Sequence, residues 1–132
     1  MTTTTEKSGA IFGAMLAIAS EMPSIAKEGK NAAQGYSFRG VDQVFNSLQP
    51  IFAKHGVIIT AEILDLRRDE RPSKSGGIMA FVTVRVRYHF VAKDGSSIST
   101  ESAGEGCDTS DKATPKALSI SLKYALLETF LV

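Results

Sequence analysis

From Ile78 to Lys93 the chain alternates with period two. Ile78, Ala80, Val82, Val84, Val86, Tyr88, Phe90 and Ala92 are apolar, while the intervening positions include Thr83, Arg85, Arg87, His89 and Lys93. Side chains of a strand point alternately to its two faces, so the pattern predicts a strand with one core face and one polar, basic face. Val57 to Asp69 is rich in β-branched residues and predicts a preceding strand, with a turn at Ser73–Gly77. Asp94-Gly95 is a hairpin signal, and Ser96 to Gly106 reads as a third, more polar strand. Together these predict an antiparallel meander.

Helical periods flank it. Ile11, Phe12, Met15, Leu16, Ile18, Ala19 and Met22 predict a helix between Gly9 and Met22, with Ser8 as N-cap and Pro23 at its end. Val41, Val44, Phe45, Leu48, Ile51 and Phe52 predict a second, from Val41 to His55, with Gly56 just past its end. Pro50 should kink that helix or divide it in two. Ala26 to Gly35 reads as a loop, and Tyr36 to Arg39 as a short extended segment. After a loop at Gly104–Asp111, a last helix is expected over residues 112–131, starting at Thr114-Pro115 or at Asp111. It is apolar on most sides, which predicts burial against the sheet or a neighbouring subunit. The fold class is therefore α+β: an antiparallel three-stranded β-meander followed by a long buried helix, with N-terminal helices. Residues 1–8 read as a flexible N-terminus and residues 9–132 as a single domain.

Composition narrows the function classes. The 132 residues suit one domain, and 43% hydrophobic with 22% charged is ordinary for a globular chain. No apolar run reaches the ~18 residues of a membrane span, and the polar start, Met1 to Lys7, is unlike a secretory signal. A cytosolic protein is expected, with no membrane partner. The single cysteine, Cys107, and two histidines, His55 and His89, leave little for metal or redox chemistry. Walker, GxGxxG, GxSxG and HExxH motifs do not occur, so no enzyme, cofactor or metal is expected. Glu101, Glu105, Asp108 and Asp111 form an acidic cluster that either is solvated and helix-capping or, in a nuclease, would hold magnesium.

Fifteen basic residues against fourteen acidic ones give a net charge of +1, so the placement of charge matters more than its sum. Lys112, Lys116 and Lys123 fall within a ~40° wedge of one helix face at ~100° per residue. Lysines near a helix N-terminus oppose the dipole, so they either snorkel on a solvated stripe or share a bound phosphate with free backbone amides. Arg85 and Arg87 share a strand face that could track a polyanion or pair with acids of the adjacent strand. Arg67, Arg68, Arg71 and Lys74, beside Asp69 and Glu70, read as a mobile, solvated hairpin tip, with nucleic-acid contact as the alternative. Tyr36, Phe38 and Arg39 combine rings with a guanidinium, as core residues or as a single-strand stacking site.

Two blocks carry a resemblance. The first is Tyr36-Ser37-Phe38-Arg39-Gly40-Val41-Asp42-Gln43-Val44-Phe45-Asn46-Ser47-Leu48-Gln49-Pro50 with Lys54-His55-Gly56. The second is Gly104-Glu105-Gly106-Cys107-Asp108-Thr109-Ser110-Asp111-Lys112-Ala113-Thr114-Pro115-Lys116-Ala117, followed by Ser121-Leu122-Lys123-Tyr124-Ala125-Leu126-Leu127-Glu128-Thr129-Phe130. The chain resembles the Erf (essential recombination function) family of bacteriophage single-strand annealing proteins over about residues 10–131. Pro115 departs from the family pattern, which often has a small polar residue there.

The resemblance implies a fold similar to the Rad-fifty-two-type annealing domain, and ATP-independent binding and annealing of single-stranded DNA in recombination and repair. It implies a ring or filament homo-oligomer in the cytoplasm of a bacterial host. A phage exonuclease or a host single-strand-binding protein is an implied partner. By carry-over, Arg39, Lys112, Lys116 and Lys123 are candidate DNA contacts, with Tyr36 and Phe38 shaping the site; Arg85 and Arg87 join the candidates from their shared strand face alone. Asp42, Asp108 and Asp111 would hold these cations or cap helices. The alternatives are a homo-oligomeric interaction scaffold without DNA activity, and a metal-dependent nuclease.

Overall fold

In the computed structural model, residues 9–22, 29–31, 36–38, 40–109 and 111–132 are described, with backbone alone at 29–31 and 36–38. The expected flexible N-terminus at 1–8, and with it Ser8, lies outside the described residues, as does Pro23. The chain divides into two compact units. One takes in Met1–Ile59, Phe90–Ile98 and Phe130–Val132, the other Thr60–His89 and Ser99–Thr129.

The first unit opens with α1 (Ala10–Glu21), which buries Ile11, Met15 and Ile18 at helical spacing. Gly9, and not the expected Ser8, is its N-cap and offers no side chain to the free amides. The turn at Asp94–Ser96 supplies the acceptors instead: Ala10 N donates to Asp94 Oδ2 and Ile11 N to Ser96 Oγ, each at 3.0 Å. The hydroxyl of Ser96 and the amide of Ala10 hold the Asp94 carboxyl down at about 2.

Two short strands follow, β1 (Gly29–Asn31) and β2 (Tyr36–Phe38), paired antiparallel with Lys30 opposite Ser37. The expected loop thus contains a strand. Gly29-Lys30-Asn31 has no apolar period to announce it, and its pairing with β2 alone defines it. Next comes α2 (Val41–Lys54), which buries Val44, Leu48 and Phe52. It runs as one helix through Pro50, so the chain is not divided there. Proline removes one amide bond, and the buried residues on both sides of Pro50 keep the helix whole.

Gly56, at φ +69°, ends this helix as its sequence position predicts. Val57 N bonds back to Phe52 O at 3.0 Å and Gly56 N to Ala53 O at 3.2 Å, a Schellman closure with Val57 buried beneath. Glu21 of α1 pairs with Lys54, at 2.9 Å, and with His55 at the end of α2. Those two contacts, Lys54 foremost, lower the Glu21 carboxyl below its ordinary value. Phe52, Phe90 and Phe130 form the aromatic centre of the unit, with Phe130 edge-on to both partners at 5.7 and 6.2 Å.

The meander is present as a three-stranded sheet of β3 (Ile58–Pro72), β4 (Ile78–Val91) and β5 (Ser97–Asp108), in the order β3-β4-β5. β3 runs three residues further than expected, to Pro72, so the arginines from 67 to 71 lie on a strand and not at the tip. The tip itself is Ser73–Gly77, closed by Ser73 N to Gly77 O at 2.8 Å with Gly76 at φ +92°. On β4 the even positions from Ala80 to Phe90 are buried, as the alternation predicts, but Ile78 at the strand's start is 59% exposed.

The last helix, α3 (Ala113–Thr129), covers the buried face of the second unit. Lys116 N bonds to Lys112 O at 3.1 Å, so the helix starts ahead of Thr114-Pro115. Pro115 then falls in the first turn, where no amide has a helical acceptor to lose. The buried hydroxyl of Tyr88 donates to Ser121 Oγ at 2.9 Å across this layer. Burial pushes the Tyr88 hydroxyl above its ordinary value, against the opposing effect of Ser121.

The approach of α3 to β5 is very close. A β-carbon on Gly104 would lie 2.2 Å from the Ala117 carbonyl oxygen, and one on Gly106 would lie 2.6 Å from that of Ala113. Facing them, Ala113, Ala117 and Ser121 are fully buried at four-residue spacing, so small residues on both elements allow backbone to meet backbone.

Candidate nucleic-acid interface

The face of the sheet opposite α3 carries the odd positions of β4. Arg85 Nη1 donates to Glu101 Oε1 and Arg87 Nη2 to Glu101 Oε2, each at 3.1 Å. Arg87 also reaches Glu62 on β3 at 3.5 Å, and His89 Nε2 lies 3.2 Å from the same carboxylate oxygen. The two arginines thus carry the adjacent-strand partners that the sequence left open. Arg87 and then Arg85 lower the Glu101 carboxyl below its ordinary value.

Further along β4, Phe81 is 37% exposed and the Arg71 guanidinium lies 4.9 Å from its ring centroid. Phe81, Thr83, Glu105 and Cys107 line an open concavity there. Sequence reasoning missed Phe81, although an aromatic at an odd position of β4 was a readable signal. Arg67, Arg68 and Arg71 each pair with the acid two residues away, Asp65, Glu70 and Asp69 respectively. That part of β3 carries almost no uncompensated charge.

The other basic locus is the start of α3. Asp108, the last residue of β5, accepts from Lys112 N at 3.2 Å and lies 3.4 Å from Lys116 Nζ. Lys116 Nζ also donates to the Cys107 carbonyl at 3.3 Å. Asp108 therefore both caps the helix and holds a cation. Lys112 and Lys116 are exposed, and among the described residues Lys112 forms no ion pair. Lys123 keeps the same side of the helix by its spacing, but that side is covered where it stands. It is only 7% exposed, with its ammonium 4.8 Å from the Tyr124 ring centroid. The second half of α3 is buried at Ala125, Leu126 and Leu127 as well, so a solvated stripe does not extend that far.

The expected DNA contacts are thus brought together only in part. Arg85 and Arg87 lie on one face of the sheet, and Lys112 and Lys116 at the N-terminus of the helix on the other. Arg39 lies outside the described residues, as do the side chains of Tyr36 and Phe38. The acidic cluster does not converge: Glu101 faces arginines and Asp108 the helix start. Among the described residues no three His, Cys, Asp or Glu side chains are grouped to hold a metal, and no helix is long and apolar enough to cross a membrane.

The ERF superfamily model matches residues 11–132. The chain belongs to the ERF superfamily. Both blocks that carry the resemblance lie inside the match. No curated protein matches the chain. Membership supports a broad role in single-strand annealing during recombination, in a family of DNA-annealing proteins that are generally not catalysts.

Proposed function

We propose that this ERF-superfamily chain binds single-stranded DNA through its phosphates and promotes pairing of complementary strands without ATP. The observation that carries the reading is the family match over residues 11–132. The exposed Lys112 and Lys116 at the start of α3 supply a local fit, because their two ammonium groups can share one phosphate, with Lys116 exchanging its exposed contact to Asp108 for it. Arg85 and Arg87 offer a second row, and Arg39, Tyr36 and Phe38 complete the set. Phosphate contacts hold a strand regardless of sequence and leave its bases open to a complement. Lys123, being buried, contributes to packing and not to phosphate contact.

Self-association belongs to the same reading, as a ring or filament in which weak sites add along one strand. β3 is an edge strand, exposed along nearly all its length, with Ile63 and Leu66 at the surface. Such an edge can accept a further strand.

The test is fluorescence anisotropy of a labelled single-stranded oligonucleotide across a salt series, with the complement added last. Salt-sensitive binding and faster duplex formation are expected. Lys112→Ala with Lys116→Ala should lower the salt slope by about 0.7 for each phosphate that the pair neutralises. Absence of binding at low salt removes the annealing reading. Oligomers without DNA binding would favour the scaffold, and magnesium-dependent cleavage the nuclease.

A further inference from the structure

We propose that Glu101 is a built-in competitor for nucleic-acid phosphate at the Arg85–Arg87 pair. The inference rests on the DNA-binding reading above and concerns how that binding is restrained.

Each oxygen of the Glu101 carboxylate is taken by a different guanidinium, both at 3.1 Å. A phosphodiester also presents two non-bridging oxygens sharing one negative charge, so it can accept the same two donors. The contact spans β4 and β5, and all three side chains stay open to solvent, at 55% for Arg85, 38% for Arg87 and 44% for Glu101. Exposed ion pairs of this kind are weak and exchange readily. A polyanion can reach the arginines and displace the carboxylate.

With the contact closed, Arg85 and Arg87 are balanced by Glu101 and Glu62, so the row is close to neutral. With Glu101 displaced, Arg85 is released entirely and Arg87 keeps only the longer contact to Glu62. Each phosphate must therefore compete for its arginines. The expected result is a row that lets a bound strand leave or shift, as a strand must when it pairs with a complement.

The test compares Glu101→Gln with Glu105→Gln in anisotropy titrations of a single-stranded oligothymidine over a salt series. Glu105 is exposed on the same face of β5 and, among the described residues, forms no arginine contact. Both variants remove one negative charge, so any difference between them reports the arginines. Glu101→Gln should neutralise one to two phosphates more than the wild type does. That steepens the salt slope by about 0.7–1.4 and tightens binding about fivefold per phosphate at ~0.1 M salt. Adding Arg85→Ala and Arg87→Ala to Glu101→Gln should abolish the tightening. Equal effects of the two glutamine variants, or a tightening that survives removal of the arginines, overturn the proposal. Wild-type binding with no tightening in Glu101→Gln sinks the competitor alone. No binding by any variant sinks the DNA-binding reading and the competitor with it.

Discussion

Gly104→Ala tests the close approach of β5 to α3. The added methyl would sit 2.2 Å from the Ala117 carbonyl oxygen, 2.8 Å from Ser121 N and 3.0 Å from Ser121 Cβ. Two of these three are backbone atoms of α3, so no rotamer change can relieve the clash. Restoring ordinary contact moves the helix by about 1 Å, and a gap of that size forfeits a quarter to a half of each dispersion contact along the layer. Overpacking of this kind costs about 1–3 kcal/mol. The smaller backbone entropy of alanine in a strand returns roughly 0.5–1 kcal/mol. With rigid atoms on both sides, a net loss of about 2 kcal/mol is expected. Urea unfolding would read this as a midpoint lowered by about 1 M, given a slope of roughly 2 kcal/mol per M. Gly13→Ala is the control. It lies in α1 with open space around it, and alanine there should gain up to about 1 kcal/mol. A midpoint for Gly104→Ala within about 0.3 M of wild type would refute the close approach of strand and helix.

Tyr88→Phe should destabilise by about 1–2 kcal/mol, because the buried Ser121 hydroxyl loses its partner. Adding Ser121→Ala should restore much of that stability in denaturant titrations, and additive losses would show that the two hydroxyls do not interact. The Asp94 carboxyl sits at about 2 in the folded chain against an ordinary 3.8, so its stabilising effect is complete above pH 4 and is lost as pH falls toward 2. The stability difference between wild type and Asp94→Asn should shrink over that window, and a constant difference would remove Asp94 as the cap of α1. Leu48→Ala, deep in α2 at 2% exposure, should cost about 2–5 kcal/mol by the same unfolding assay.

Much of this architecture is written in local periods. The alternation over β4 announces both its buried face and its basic face, because one strand with one covered side obeys period two. Gly56 is legible for a similar reason: a positive φ at a helix end selects glycine. The start of α3 is not, since Thr114-Pro115 suits either a cap or a first turn, and only Asp108 from β5 decides between them. The α1 cap is equally out of reach, as its acceptors lie 84 and 85 residues away. β1 carries no apolar signal at all. For the candidate site, residue types are legible but their partners are not. Lysine at position 123 looks like a surface cation at helical spacing, and only the burial around it shows otherwise.

The aromatic centre of the first unit has a bearing on the order of events as the chain is made. Phe52, Phe90 and Phe130 come from three distant stretches, and the edge-on ring of Phe130 completes the other two. The acceptors for α1 likewise arrive only with the turn at Asp94. A growing chain can therefore form its helices early but cannot close this unit until residue 130 has emerged. Contacts of such long sequence separation are slow to form. Until then Phe52 and Phe90 lack their third ring, and a chain halted a few residues short would keep that surface open to aggregation.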